Sequence, residues 1–172
     1  MIDQPEKSIQ QLQERAKRSA REFATRNEEG KIFTVVEFSI NSECYAIELI
    51  HIREIFPLKE LTEIPGVPPF IRGVVNMRGQ IISVVDIRQF FELPAKGFSD
   101  SSRIIVLRSP EMEYGILADA ILGIRAIPES ETVPGLPTLT GIRQDFLKAI
   151  THNQTVILDG KKLLSDPKMV VK

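Results

Sequence analysis

Two histidines, His51 and His152, and one cysteine, Cys44, are the side chains of this 172-residue chain best suited to nucleophilic or proton-transfer chemistry at neutral pH. A nucleophile needs a base beside it, and neither histidine falls in a motif that supplies one. Metal binding would need ligands at fixed spacing, yet no Cys-x-x-Cys, His-Glu-x-x-His or calcium-loop pattern occurs. Cys44 sits in an apolar, strand-like stretch and reads as a small buried residue, and His152 beside Asn153 reads as a turn residue. The ten glycines are scattered singly, so no phosphate-cradling loop can form. Two carboxylate pairs, Glu111 with Glu113 and Asp86 with Asp119, have the composition for acid–base work, but their positions suit turns and caps.

The elements around these residues are strands. Ile32, Thr34, Val36, Phe38 and Ile40 alternate with Glu37 and Ser39, a period of two that predicts a strand with one buried face. Asn41-Ser42 turns the chain into a return strand through Tyr45-Ala46-Ile47, so 32–48 is an expected hairpin. Three more are expected: 74–77 with 81–85 about Arg78-Gly79, 103–107 with 112–117 about Ser109-Pro110, and 147–150 with 155–158 about His152-Asn153. Asp86 and Asp159 each end an apolar strand and are placed to cap short helices over 86–91 and 159–164. Four hairpins imply a barrel or sandwich.

The two halves also repeat. Tyr45-Ala46-Ile47 returns as Tyr114-Gly115-Ile116, 69 residues on, and Ile64-Pro65-Gly66-Val67-Pro68 returns as Val133-Pro134-Gly135-Leu136-Pro137 at the same offset. Ile52 and Ile55 fall opposite Ile121 and Ile124, and Phe70-Ile71-Arg72-Gly73 resembles Phe146-Leu147-Lys148-Ala149. Two related β subdomains are expected, with each Pro-Gly segment forming the turn that carries the chain between them.

Residues 1–30 differ from the rest, with six basic and six acidic residues and one thin apolar stripe: Ile9, Leu12, Ala16, Ala20 and Phe23. They read as an arm, either a solvated helix or disordered segment or a helix docked on a surface, and 31–172 as the folded domain. The whole chain carries a formal charge of −1, which creates no field to gather nucleic acid or an anionic membrane. No run approaches the roughly 18 apolar residues of a membrane span. Oligonucleotide binding would need a basic stripe among exposed aromatics, whereas nine of eleven aromatics are Phe, mostly in core phase.

The series Phe33 to Phe38, Tyr45-Ala46-Ile47, Ile52-Arg53-Glu54-Ile55, Ile64-Pro65, Phe70-Ile71-Arg72-Gly73, Asn76-Met77-Arg78-Gly79 and Val84-Val85-Asp86-Ile87-Arg88 resembles the CheW family over residues 31–167. The resemblance implies a mainly β fold of two intertwined SH3-like five-stranded barrels with short helices. It implies no catalytic centre, no cofactor and no metal. It also implies a cytoplasmic adaptor, recruited to membrane-associated receptor arrays, that couples the cytoplasmic tips of methyl-accepting chemoreceptors to the regulatory domain of a CheA-type histidine kinase. A non-flagellar chemosensory pathway, a β-barrel ligand- or nucleic-acid-binding module and an unrecognised β-barrel enzyme are the alternatives.

Within that resemblance the expected partner-binding residues are Ile52, Glu54, Gly73, Val74, Val75, Arg78 and Gly79. Arg78 at a hairpin turn either projects a guanidinium toward carboxylates and carbonyls of a partner or solvates the turn. Glu54 in an apolar segment either faces solvent or reads a polar partner group. Val74 and Val75 suit a groove lining or the core equally.

Overall fold

The computed structural model describes residues 9–18, 30–94, 97, 99–133 and 142–169. Helix α1 covers 9–18. Eleven strands follow: β1 Ile32–Ile40, β2 Glu43–Glu48, β3 Ile52–Pro57, β4 Ile71–Met77, β5 Gln80–Val85, β6 Arg103–Arg108, β7 Glu113–Ala118, β8 Ala120–Pro128, β9 Thr132–Val133, β10 Leu147–Thr151 and β11 Val156–Leu158. Short helices α2 Ile87–Phe90, α3 Ile142–Asp145 and α4 Gly160–Leu163 complete the chain. All four expected hairpins form, and Asp86 and Asp159 cap α2 and α4 by accepting from the amides of Arg88 and Lys162.

The strands build two sheets, one in the order β8-β1-β2-β11-β10-β9 and the other β3-β6-β7-β5-β4. One sheet therefore has six strands, not the expected five. Thr132 and Val133 pair with Thr151 and Ile150 and cover the edge of β10. At the matching edge of the other sheet, Thr62 makes only an isolated bridge to Val74. Of the two expected Pro-Gly turns, the first carries Gly66 at φ 81°, and residues 134–137 of the second lie outside the described residues.

The two units interlock because the strands of each repeat copy are divided between the two sheets. In the repeat, β1, β2 and β3 correspond to β6, β7 and β8, and the β4-β5 hairpin corresponds to β10-β11. Each sheet takes the first two strands of one copy together with the third strand and the later hairpin of the other copy, and β9 adds a sixth strand to one of them. The swap is equivalent in detail: β2 runs parallel to β11 with Ala46 opposite Ile157, and β7 runs parallel to β5 with Gly115 opposite Val84. Both capping aspartates donate their amides to a phenylalanine carbonyl at 2.7 Å, Asp86 to Phe70 and Asp159 to Phe146.

Neighbouring residues of one strand feed different cores. Val36, Phe38, Tyr45, Ile47, Ile105, Leu107, Tyr114 and Ile116 meet in a large cluster shared by both sheets. Ile104, Val106, Leu117, Val84 and Val75 fill the inside of one sheet, and Val35, Ala46, Ile127, Ala149 and Ile157 fill the inside of the other. Strands buried on both faces need continuous apolar runs, which explains Ile104-Ile105-Val106-Leu107. Phe90 stacks edge-on against both Phe70 and Phe146, at 5.1 and 5.3 Å, within the shared core. Tyr114 donates to the Leu163 carbonyl at 2.7 Å, and burial, helped by the charge of Asp166, pushes its phenol far above the ordinary range.

The repeat also trades volume between copies. A Cβ at Gly115 would lie 2.5 Å from Ile104 Cγ2, whereas the corresponding pair in the first copy is Ala46 and Val35. The atom met is a branch carbon that valine also carries, so a valine at 104 would help only by using the room left by its missing Cδ1 to shift away from a methyl at 115. Gly115→Ala is expected to cost about 1–3 kcal/mol by overpacking. Adding Ile104→Val, which recreates the Ala46/Val35 pair, should recover at least half of that loss in chemical denaturation. An equal loss in single and double variants would show that the two copies do not pack alike.

Candidate partner-binding site

The two edge strands of the five-stranded sheet, β3 and β4, face each other across an open seam, and the groove along it holds about 620 Å³. Phe56 and Pro57 of β3, Val74 and Met77 of β4, Thr62 and Ile81 line it. Ile81 is 63% exposed, an unusual position for a large apolar side chain next to a groove.

Arg78 closes one end of the seam. Met77 pairs with Gln80, leaving a two-residue turn with Arg78 at φ 53° and Gly79 at φ 83°, the twist that suits a tight hairpin. Positive φ is costly for arginine, so the turn alone would favour asparagine at 78. The side chain explains the choice: Arg78 Nη2 reaches across the seam to Glu54 Oε1 at 2.8 Å. Glu54 is largely buried beneath it, while about half of the arginine stays accessible. Asn76 Oδ1 accepts from the Gly79 amide at 2.8 Å and fixes the turn. Beside this, Arg53 Nη1 donates to Glu113 at 2.6 Å and to Gln80 at 3.1 Å.

The seven expected residues therefore divide. Arg78, Glu54, Val74 and Val75 line the seam groove together. Val75 is only 3% exposed and packs with Met77, Ile82 and Val84, so its side chain supports the groove from within the core. Gly73, at φ 145°, has its own reason: a Cβ there would sit 2.1 Å from the Thr62 carbonyl oxygen, and Thr62 exchanges both backbone hydrogen bonds with Val74. Gly73 thus lets the 58–62 segment lie against β4. Gly79 shapes the turn. Ile52 is buried in the shared core and also lines two neighbouring surface grooves about Ile50. Phe56, Thr62 and Ile81 escaped the sequence reading, because residues that meet across a seam carry no local spacing signal.

The carboxylate pairs serve structure. Arg88 binds Asp86 through Nε and Nη2 at 3.0 and 3.2 Å and lies 3.5 Å from Asp119, and both Arg88 and Asp86 are 2% exposed. Glu113 is engaged by Arg53 and lies 3.6 Å from Arg108. Among the described residues no group of three His, Cys, Asp or Glu stands ready for a metal ion, and no helix is long and apolar enough to cross a membrane.

Two sheets that exchange strands, with a lined seam and a guanidinium at its mouth, define a scaffold-type binding domain. Residues 34–168 match the CheW-like domain, and the chain belongs to that family, one of non-enzymatic scaffolds. It is 33% identical to the chemotaxis protein CheW of Bacillus subtilis over 97 residues, 56% of this chain and 62% of that protein, just under two thirds of its length. It is 20% identical to the protein PilI of Pseudomonas aeruginosa, covering 89% of this chain and 86% of PilI. A crystal structure of the scaffolding protein TtCheW from Thermoanaerobacter tengcongensis superposes with a TM-score of 0.67 at 30% identity, covering 74% of this chain and 89% of that one.

Proposed function

We propose that this chain is a cytoplasmic adaptor that holds a CheA-type histidine kinase, through the kinase's regulatory domain, to the cytoplasmic tips of methyl-accepting chemoreceptors in chemotaxis or a related chemosensory pathway. Family membership supports the class of function, and the Arg78–Glu54 pair over the seam groove carries the choice of surface. An exposed guanidinium held by a buried carboxylate is pre-oriented, so a partner's carboxylate or backbone carbonyls gain a charge-assisted contact without ordering a long side chain. Val74 and Ile81 supply adjoining apolar area. In this reading Arg78, Glu54 and Val74 meet the receptor tip, while Ile52, Gly73, Val75 and Gly79 hold them in place.

Arg78→Asn separates function from folding, since asparagine tolerates positive φ. The expected result is a receptor-tip affinity at least tenfold weaker, about 1.4 kcal/mol, with a melting temperature within a few degrees of the parent. Glu54→Gln should weaken binding in the same direction by releasing the guanidinium. Calorimetric titration of both variants with a purified receptor-tip fragment is the check, and unchanged affinity in both would remove this surface from the interface.

A further inference from the structure

The β4–β5 hairpin is longer than its counterpart in the other copy, and the surplus carries Arg78. The pairs Ile71/Val85, Gly73/Val84 and Val74/Ser83 match Leu147/Leu158, Ala149/Ile157 and Ile150/Val156 one for one, including the register shift after the first pair. Beyond them the second copy closes at once: the Thr151 amide donates to the Thr155 carbonyl at 3.0 Å, and the chain turns over 152–154. The first copy passes the corresponding pair, Val75/Ile82, and adds Asn76/Ile81 and Met77/Gln80 before it turns at Arg78-Gly79. Of residues 76–81 only Met77 is buried, so this extension adds little to the core.

Such an overhang needs anchoring from outside its own ladder. β3 and β4 lie at opposite edges of the strand order, so side chains must join the extension to β3. Two consecutive residues of β3 do so: Glu54 accepts from Arg78, and Arg53 Nη1 donates to Gln80 Oε1 at 3.1 Å. Gln80 Nε2 donates in turn to Glu113 Oε1 at 3.0 Å, and the same oxygen accepts from Arg53 at 2.6 Å, which closes a triangle. Glu113 is the fixed corner. Its side chain is mostly buried, Arg108 lies 3.6 Å from its other oxygen, and the next residue, Tyr114, is fully buried with its hydroxyl on the Leu163 carbonyl. The fold does not demand this triangle, because the repeat places Cys44 opposite Glu113 and Leu122 opposite Arg53.

We infer that Glu113 is a positioning residue for the partner site, acting through Gln80 to hold the extended turn where Arg78 meets Glu54. The partner half of this inference rests on the coupling function proposed above. A guanidinium on a wandering turn would have to be ordered at the moment of binding, and the triangle removes that cost beforehand.

The test uses the full chain labelled with nitrogen-15. Heteronuclear Overhauser measurements at the Arg78 Nε and the Gly79 amide report the order of the turn without any partner, and calorimetric titration with a purified receptor-tip fragment reports affinity. Glu113→Ala removes the fixed corner, and Gln80→Ala cuts the link at an exposed position while leaving the Arg53–Glu113 pair in place. Both should lower the order at Arg78 and weaken tip binding by about three- to tenfold. Glu113→Gln keeps an accepting oxygen and should fall between Glu113→Ala and the parent. Glu111→Gln, at an exposed carboxylate of the β6–β7 turn, should change neither readout. In the Arg78→Asn background Glu113→Ala should cost less than about twofold, since residues that act through one another are not additive. Unchanged order at Arg78 in both Glu113→Ala and Gln80→Ala would overturn the positioning. An equal loss of affinity in the parent and Arg78→Asn backgrounds would also overturn it, by showing that Glu113 meets the partner itself. Absence of tip binding in the parent would instead sink the coupling function, and the order at Arg78 would then decide the positioning alone.

Discussion

A fragment of residues 31–100 is expected to be unfolded, although it contains one full copy of the repeat. It would keep β1 to β5 but lose β6 and β7, which stand between β3 and β5 in one sheet. In the other sheet β1 and β2 would lose β8, β10 and β11. Neither sheet would keep more than an isolated hairpin, which is marginal in water. Val36, Phe38, Tyr45 and Ile47 would lose Ile105, Leu107, Tyr114 and Ile116 from the shared core. Removing several large side chains from one core costs more than the roughly 5–15 kcal/mol that stabilises a whole domain. A proton–nitrogen correlation spectrum collapsed into the random-coil range is the expected result. A dispersed spectrum from 31–100 would show that one copy can fold by itself.

Arg88→Ala should be the most damaging single substitution away from the apolar core. The side chain ties the end of β5 to the β7–β8 crossing, because Asp119 also accepts from the Asn41 amide at 2.8 Å and donates its own amide to the Ser39 carbonyl at 2.9 Å. One guanidinium therefore joins both sheets. Truncating it leaves the Asp86 carboxylate buried without its cation, for which the expected cost is about 3–5 kcal/mol, or a melting temperature lower by roughly 6–20 °C in a domain of this size. Asp86→Asn in the same chain should recover part of the loss by removing the stranded charge. A loss under about 1 kcal/mol for Arg88→Ala, measured by denaturant unfolding, would show that water reaches the site and that the network contributes little.

Local pattern made the hairpins and caps legible. Alternation over Ile32–Ile40, turn residues at Asn41-Ser42 and Arg78-Gly79, and an aspartate after each apolar run reveal which neighbours pair. The repeat revealed that two units are present. Neither feature says that β3 and β8 cross to the other unit, since a strand without a hairpin partner carries no sign of its distant neighbour. The sixth strand was hidden for a similar reason: Thr132-Val133 is two residues long, too short for any period to register. At the site, the resemblance pointed to Arg78 and Glu54, but spacing could not reveal that the two bind each other across a seam. The positive φ at Arg78 was a signal in hindsight, because a two-residue turn with arginine first needs a reason outside the turn. Asp86 and Asp119 were legible as a carboxylate pair, and the arginine between them lay two residues from one and thirty-one from the other.

The most direct test of the coupling role is a three-component sedimentation assay with vesicles bearing a chemoreceptor cytoplasmic domain, a CheA-type kinase and this protein. Kinase should pellet with the vesicles, and its autophosphorylation should rise, only when the chain is present, and Arg78→Asn should reduce both. Kinase that pellets and is activated equally without the chain, or a chain that stays in the supernatant with both partners present, would contradict the role of adaptor.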